Sequence, residues 1–133
     1  MLPSRIVPVV LLADDSPDVR KITKLLLELE GCFVIEASHG REAVDAALVS
    51  RPDLILLDIE MPVMNGLEVA RHLRSNEAMN STPMVAVTAS NDKRLVAIEA
   101  GCDECITKPP LPDRIKRILS RYIHRYDLER PAA

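Results

Sequence analysis

Five short apolar runs, each followed by a segment of helical periodicity, constrain this chain more than any other feature. The runs are 6–12, 32–37, 54–57, 84–87 and a weaker one at 105–106. They are rich in β-branched residues and mostly unalternated, as strands covered on both faces are. Ser16 and Pro17 offer an N-cap and a first helical position, and Gly31 closes that helix. Within it Val19, Ile22, Leu26 and Leu29 recur at spacings of three and four and predict its apolar face. A second helix near 41–50 carries Ala43, Val44, Ala47 and Leu48, and a third near 67–74 carries Leu67, Ala70 and Leu73. A fourth near 92–100 carries Leu95 and Ile98 and ends at Gly101. The last, 112–126, shows Ile115, Ile118, Leu119, Tyr122 and Ile123. Parallel neighbours need a crossover, which helices supply, and crossovers are right-handed. The pattern therefore predicts an α/β fold: a doubly wound five-stranded parallel sheet with helices on both faces.

A length of 133 residues fits one domain, expected over 1–126, with a short tail at 127–133. The net charge of −3 leaves no basic surface for nucleic acid and no polybasic signal for a membrane. Phe33, Tyr122 and Tyr126 are the only aromatics, too few for a base-stacking platform. The longest apolar run is too short to span a bilayer and runs into Asp14 and Asp15 without a cleavage site, so no membrane insertion is expected. Cys32, Cys102 and Cys105 are too few for a disulfide framework and suit the reducing cytoplasm.

In such sheets ligands bind outside the carboxyl ends of the strands. The polar residues at those ends are Asp14 and Asp15 after the first strand, Asp58 after the third, Thr88 and Ser90 after the fourth, and Thr107 and Lys108 after the fifth. Asp58 terminates an aliphatic run in "LILLDIEMPVMNG", where burying an acid is costly unless something pairs it. Its strand is expected to deliver it, unburied, to a cleft shared with the other two acids and the lysine. Asn65-Gly66 could make a hairpin turn, but the helical spacing after it excludes that.

Taken in order, "LLADDS", "LLDIEMPVMNG", "VTAS" and "ITKP" resemble the receiver domain of bacterial two-component response regulators, over about Val9 to Ile123. The resemblance implies a flavodoxin-like (βα)5 fold with strand order 2-1-3-4-5. It implies a phosphoacceptor rather than an enzyme, which takes a phosphoryl group on Asp58 from a sensor histidine kinase or a histidine phosphotransfer protein, with Mg2+, and then acts on a downstream protein target. Asp15 and Asp58 are the implied direct metal ligands, with Asp14 close by or acting through water and Glu60 adding its backbone carbonyl. Lys108 and Thr88 are implied to hold the phosphoryl oxygens, and the bond before Pro109 is usually cis in the family. Elementary chemistry agrees: a carboxylate attacks a phosphoryl group only when charge repulsion is relieved, and magnesium takes oxygen ligands to do so. Lysine supplies a flexible point charge and threonine a hydroxyl donor.

Blander readings compete. Asp14 and Asp15 could simply favour a helix N-terminus, and Thr88 could be an ordinary strand residue before a Ser90 cap. Met61 and Met64 read as packing or turn residues. Cys102 and Cys105 form a CxxC, but it lies between a helix end and a strand, with two acids inside it, which disfavours a thiolate. His39, His72 and His124 read as surface residues. The basic residues of the last helix, such as Arg114, Lys116, Arg117 and Arg121, read as its solvated face. Two departures from the family stand out: Cys105 replaces a usual tyrosine or phenylalanine, and nothing follows the last helix. The main expectation is thus a stand-alone relay or phosphorylation-controlled binding module. The alternatives are a receiver cut from a hybrid kinase or larger regulator, and a receiver-like scaffold independent of phosphorylation. A dehalogenase-type phosphatase also uses aspartate, threonine, lysine and magnesium, but its nucleophile comes in the first motif and its acid pair last.

Overall fold

The computed structural model describes residues 7–123. Its elements are β1 (Val9–Ala13), α1 (Pro17–Leu29), β2 (Phe33–Ala37), α2 (Gly40–Ser50), β3 (Leu54–Asp58), α3 (Gly66–Arg74), β4 (Met84–Thr88), α4 (Arg94–Ala100), β5 (Glu104–Thr107) and α5 (Pro112–Tyr122). The tail, His124 and Tyr126 lie outside the described residues, as does Ile6 of the first expected strand. All neighbouring strands pair in parallel, in the order β2-β1-β3-β4-β5. This is the expected doubly wound sheet. No helix among the described residues is long and apolar enough to cross a membrane.

Because successive strand residues point to opposite faces, the sheet separates two cores. Leu11, Ile55, Leu57, Met84 and Ala86 face one side, under Val44 of α2, Leu73 of α3 and Ala97 of α4. Val10, Leu12, Leu54, Leu56 and Val85 face the other, under Leu27 of α1 and Ile115 and Ile118 of α5. β3 is central and buried along its whole length. Each fully buried aliphatic side chain contributes about 1.5–3 kcal/mol of transfer free energy.

Two helices bury a different face from the one the spacing predicts. In α1, Thr23 and Leu27 are buried, while Ile22 and Leu29 are exposed. In α4, Ala97 and Ala100 pack inward and Leu95 and Ile98 face out. The inward face of α4 is made of alanines, and that of α1 pairs Thr23 with the large Leu27. The expected first turn of α4 is a separate 3-10 turn, Asn91–Lys93. Ser90 precedes that turn without a side-chain cap bond. His39, expected at the surface, caps α2: its Nδ1 accepts the Glu42 N–H at 3.2 Å.

The amino ends of the strands are held by carboxylates that bond to backbone. Asp53, just before β3, accepts the N–H of Val9, the first residue of β1, at 2.8 Å. Asp103, just before β5, accepts the N–H of Met84, the first residue of β4, at 2.9 Å. Arg74, at the end of α3, joins this edge together. It donates to the carbonyls of Gly101 at 2.8 Å, Met79 at 3.2 Å and Thr82 at 2.6 Å, and pairs with Asp103 at 2.9 Å.

Candidate functional site

The carboxyl ends of β1, β3, β4 and β5 bring the expected residues to one rim. Asp14 is buried directly after β1, its N–H bonded to the Ala37 carbonyl at 3.0 Å. Its Oδ1 accepts the Ser16 N–H at 2.9 Å, and Arg20 grips its backbone carbonyl at 2.8 Å. Arg20 was not singled out in the sequence; its place in α1, six residues after Asp14, is the only signal for it. Asp15 is exposed beside Asp14, and Ser16 caps α1 through the Val19 N–H.

Asp58 departs from expectation: its side chain is fully buried, with 0% exposure. The cause is the loop after β3, which folds back over it. Ile59 donates to the Val87 carbonyl at 3.1 Å, Gly66 donates to the Ile59 carbonyl at 2.8 Å, and Ile59 and Met61 are buried. Gly66 is required because a Cβ there would collide with the Asp58 carbonyl oxygen. Met64 donates to the Pro62 carbonyl at 2.8 Å across Val63, whose φ is 71°. That is a γ-turn with a β-branched residue at positive φ, a strained arrangement. Asn65 then starts α3 with a reciprocal capping box to Glu68.

Lys108 reaches the buried acids from the end of β5. Its Nζ lies 3.0 Å from Asp58 Oδ2 and 3.3 Å from Asp14 Oδ2. Its own N–H bonds the Thr88 carbonyl at 2.8 Å, and the peptide to Pro109 is cis. Asp58 Oδ1 accepts the Glu60 N–H at 3.1 Å, whereas Oδ2, despite its ion pair, has no hydrogen bond. Burial pushes the Asp58 carboxyl up to about 7; Lys108 opposes this, and Asp14 and Asp15 add to it. Burial alone would lower the Lys108 ammonium, but Asp58 and Asp14 outweigh it and hold Lys108 above its usual value.

Oxygens of Asp14, Asp15 and Asp58 all lie within 4.8 Å of one another. Three hard oxygen donors around a carboxylate oxygen that lacks a hydrogen bond suit a small oxygen-seeking dication. Glu60 sits in the loop over this group. The contact missed in the sequence is that of its side chain: Thr88, itself fully buried, donates its hydroxyl to Glu60 Oε1 at 3.2 Å, with Oε2 at 3.4 Å. Nothing in the sequence links the two, since they come from different strand ends.

The remaining candidates stay apart from this rim chemistry. Met61 is buried and Met64 packs against the core, as expected of packing residues. The three cysteines are buried and none is in a disulfide. Burial pushes the Cys102 thiol up to about 12, and it also raises Cys105. Neither is poised as a thiolate.

A parallel sheet in this order, with an acid pocket and a lysine at its carboxyl edge, defines a doubly wound, flavodoxin-like domain with its candidate site at the strand ends. The family model of the response regulator receiver domain matches residues 10–120. The chain belongs to that family. It is 37% identical to the transcriptional regulatory protein ResD of Bacillus subtilis over 84% of its length, and it spans about half (48%) of that relative. Among solved structures it is similar to the receiver domain of the sensor histidine kinase PA1611 of Pseudomonas aeruginosa. That match has 30% identity and a TM-score of 0.83, and covers 89% of this chain and 98% of that one; the PA1611 domain has a magnesium ion coordinated in its active-site cleft. The chemotaxis protein CheY4 of Vibrio cholerae matches at 31% identity with a TM-score of 0.81, covering 87% of this chain and 98% of its own.

Proposed function

We propose that this receiver accepts a phosphoryl group on Asp58 from the phosphohistidine of a sensor histidine kinase or a histidine phosphotransfer protein, in the cytoplasm. It acts as a relay or a phosphorylation-controlled binding module for a downstream protein. The observation that carries this reading is the Asp58 carboxylate, buried at the end of the central strand between Lys108 and two further acids. One Asp58 oxygen attacks phosphorus as the N–P bond breaks. The imidazole leaves with the bonding electrons and the phosphoryl group stays on the carboxylate. Lys108 then pairs with a phosphoryl oxygen in a charge-assisted bond, and the Thr88 hydroxyl donates to another. Asp15 and Asp58, with Asp14 beside them, and Glu60 through its backbone carbonyl would hold magnesium. When bound, magnesium supplies the charge that relieves repulsion between the acids and the incoming phosphoryl oxygens. The chain is an acceptor, not a turnover enzyme.

The test is incubation with acetyl phosphate and magnesium, read by intact mass. A single hydroxylamine-labile phosphoryl addition, absent in chelator, is expected. No addition, with or without a phosphorylated kinase, would leave a receiver-like scaffold as the reading. Because the chain spans about half of its curated relatives, the output of any larger protein containing it is a separate question.

A further inference from the structure

Thr88 stands at the rim with its hydroxyl proton committed to another side chain. A hydroxyl has a single proton to donate. In this structure that proton goes to the Glu60 carboxylate at 3.2 Å, while the same oxygen accepts the Ser90 N–H at 3.3 Å. Thr88 is fully buried, so it depends on protein groups for a partner, whereas Glu60 is exposed. A hydrogen bond to an ionised acceptor is stronger than one between neutral groups. The buried hydroxyl therefore cannot serve a phosphoryl oxygen without first leaving Glu60.

We propose that the Glu60 side chain is a latch on Thr88: it holds the hydroxyl in the resting state and competes with the phosphoryl group for it. The inference rests on the reading of Asp58 as phosphoacceptor. It gives Glu60 two separable roles, the backbone carbonyl toward the metal and the carboxylate toward the threonine. Glu60 acts through Thr88 and is a positioning residue. The strength of its carboxylate as an acceptor sets how far the equilibrium leans toward the resting state, since a ligand shifts two states only by its differential interaction with them. A neutral acceptor at this position gives a looser latch, and an apolar residue gives none.

The experiment measures the affinity of the magnesium-loaded protein for beryllofluoride, a phosphoryl mimic, in Glu60→Ala, Glu60→Gln and Thr88→Val variants and their combinations. All of them keep the backbone carbonyl. Glu60→Ala is expected to tighten binding roughly tenfold, the equilibrium factor of one charge-assisted hydrogen bond. Glu60→Gln, which keeps an acceptor, should tighten it less. In the Thr88→Val background Glu60→Ala should change affinity by less than about twofold, because additivity fails only where the two groups interact. If Thr88→Val does not fold, Thr88→Ala takes its place. Equal tightening in Gln and Ala variants, or tightening that persists without the threonine hydroxyl, would show plain charge repulsion and overturn the latch. A second readout needs no phosphoryl mimic. The Thr88 methyl resonance of the metal-free protein should shift in Glu60→Ala, and an unchanged resonance would overturn the contact itself. Failure of the parent chain to bind beryllofluoride while that resonance shifts would instead overturn the phosphoacceptor reading, and with it the latch as a brake on the switch.

Discussion

The two edges of the sheet use the same residue type in opposite ways. At the amino edge, Asp53 and Asp103 each accept the first N–H of a neighbouring strand, and Arg74 closes three carbonyls onto the same network. At the carboxyl edge, Asp14 and Asp58 are buried beside each other with one lysine between them, and Asp58 Oδ2 has no hydrogen bond. The first arrangement satisfies polar groups and holds the fold. The second leaves like charges crowded, which is stable only with a proton or a cation. The difference shows that accepting a backbone N–H does not by itself tell one kind of acid from the other, because all four carboxylates accept one. What separates them is burial and crowding: Asp53 is half-buried and Asp103 exposed, whereas Asp14 and Asp58 are buried side by side.

The largest test of this contrast is chemical. Asp58→Asn should lose acetyl phosphate labelling altogether by intact mass, whereas Asp53→Asn should label like the parent chain once folded. Loss of labelling in both would erase the division between the edges.

Arg74→Ala strikes the amino edge. It removes four polar contacts and should destabilise the fold by roughly 2–4 kcal/mol in urea unfolding, leaving the magnesium requirement for labelling unchanged. A loss below about 0.5 kcal/mol, the range of ordinary surface substitutions, would show that the edge does not depend on it.

The carboxyl edge should respond to pH with the opposite sign. Asp58 is raised from 3.8 to about 7, so the folded state holds its proton more tightly than the unfolded chain does. Its stabilising contribution is present below the unfolded value and is lost as pH rises through the folded one. In chelator at a pH above about 7, Asp58→Asn should therefore stabilise the fold by roughly 1–3 kcal/mol, less than the full shift implies because Lys108 loses a partner. Below the unfolded value the difference should fade, and magnesium should shrink it at high pH. A variant less stable than its parent at high pH would mean that the Lys108 pair outweighs the burial of the acid.

The smallest effect belongs to Val63. Val63→Gly should relieve the positive φ and stabilise the fold by about 0.5–1 kcal/mol, offset in part by unfolded-state entropy. Calorimetry showing a lower melting temperature would mean that the strain is absent.

The carboxyl side of this contrast was legible in the sequence because it follows from chain order; the network of Asp53, Asp103 and Arg74 at the amino side was not. The alternation of runs and helical segments is sufficient for a parallel sheet, and the sheet places Asp14, Asp58, Thr88 and Lys108 at one edge. What was hidden depended on side chains meeting across elements. The burial of Asp58 comes from a loop folding back, which needs Gly66 against the Asp58 carbonyl and Gly40 against the Met64 backbone. The reach of Glu60 to Thr88 spans two strand ends. The inward faces of α1 and α4 turned on Thr23 and on alanines, which the spacing of the longer apolar residues does not mark.

The separation of the interior into two cores has a consequence for how such a chain tolerates change. Side chains under α2, α3 and α4 do not share a cluster with those under α1 and α5. A flaw introduced at Leu73 is therefore screened from Ile118 by the sheet's backbone, and a compensating substitution has to arise on the side where the damage lies. The two halves of the interior are free to drift along separate histories, each repaired by its own neighbours, while the strands between them keep the common register.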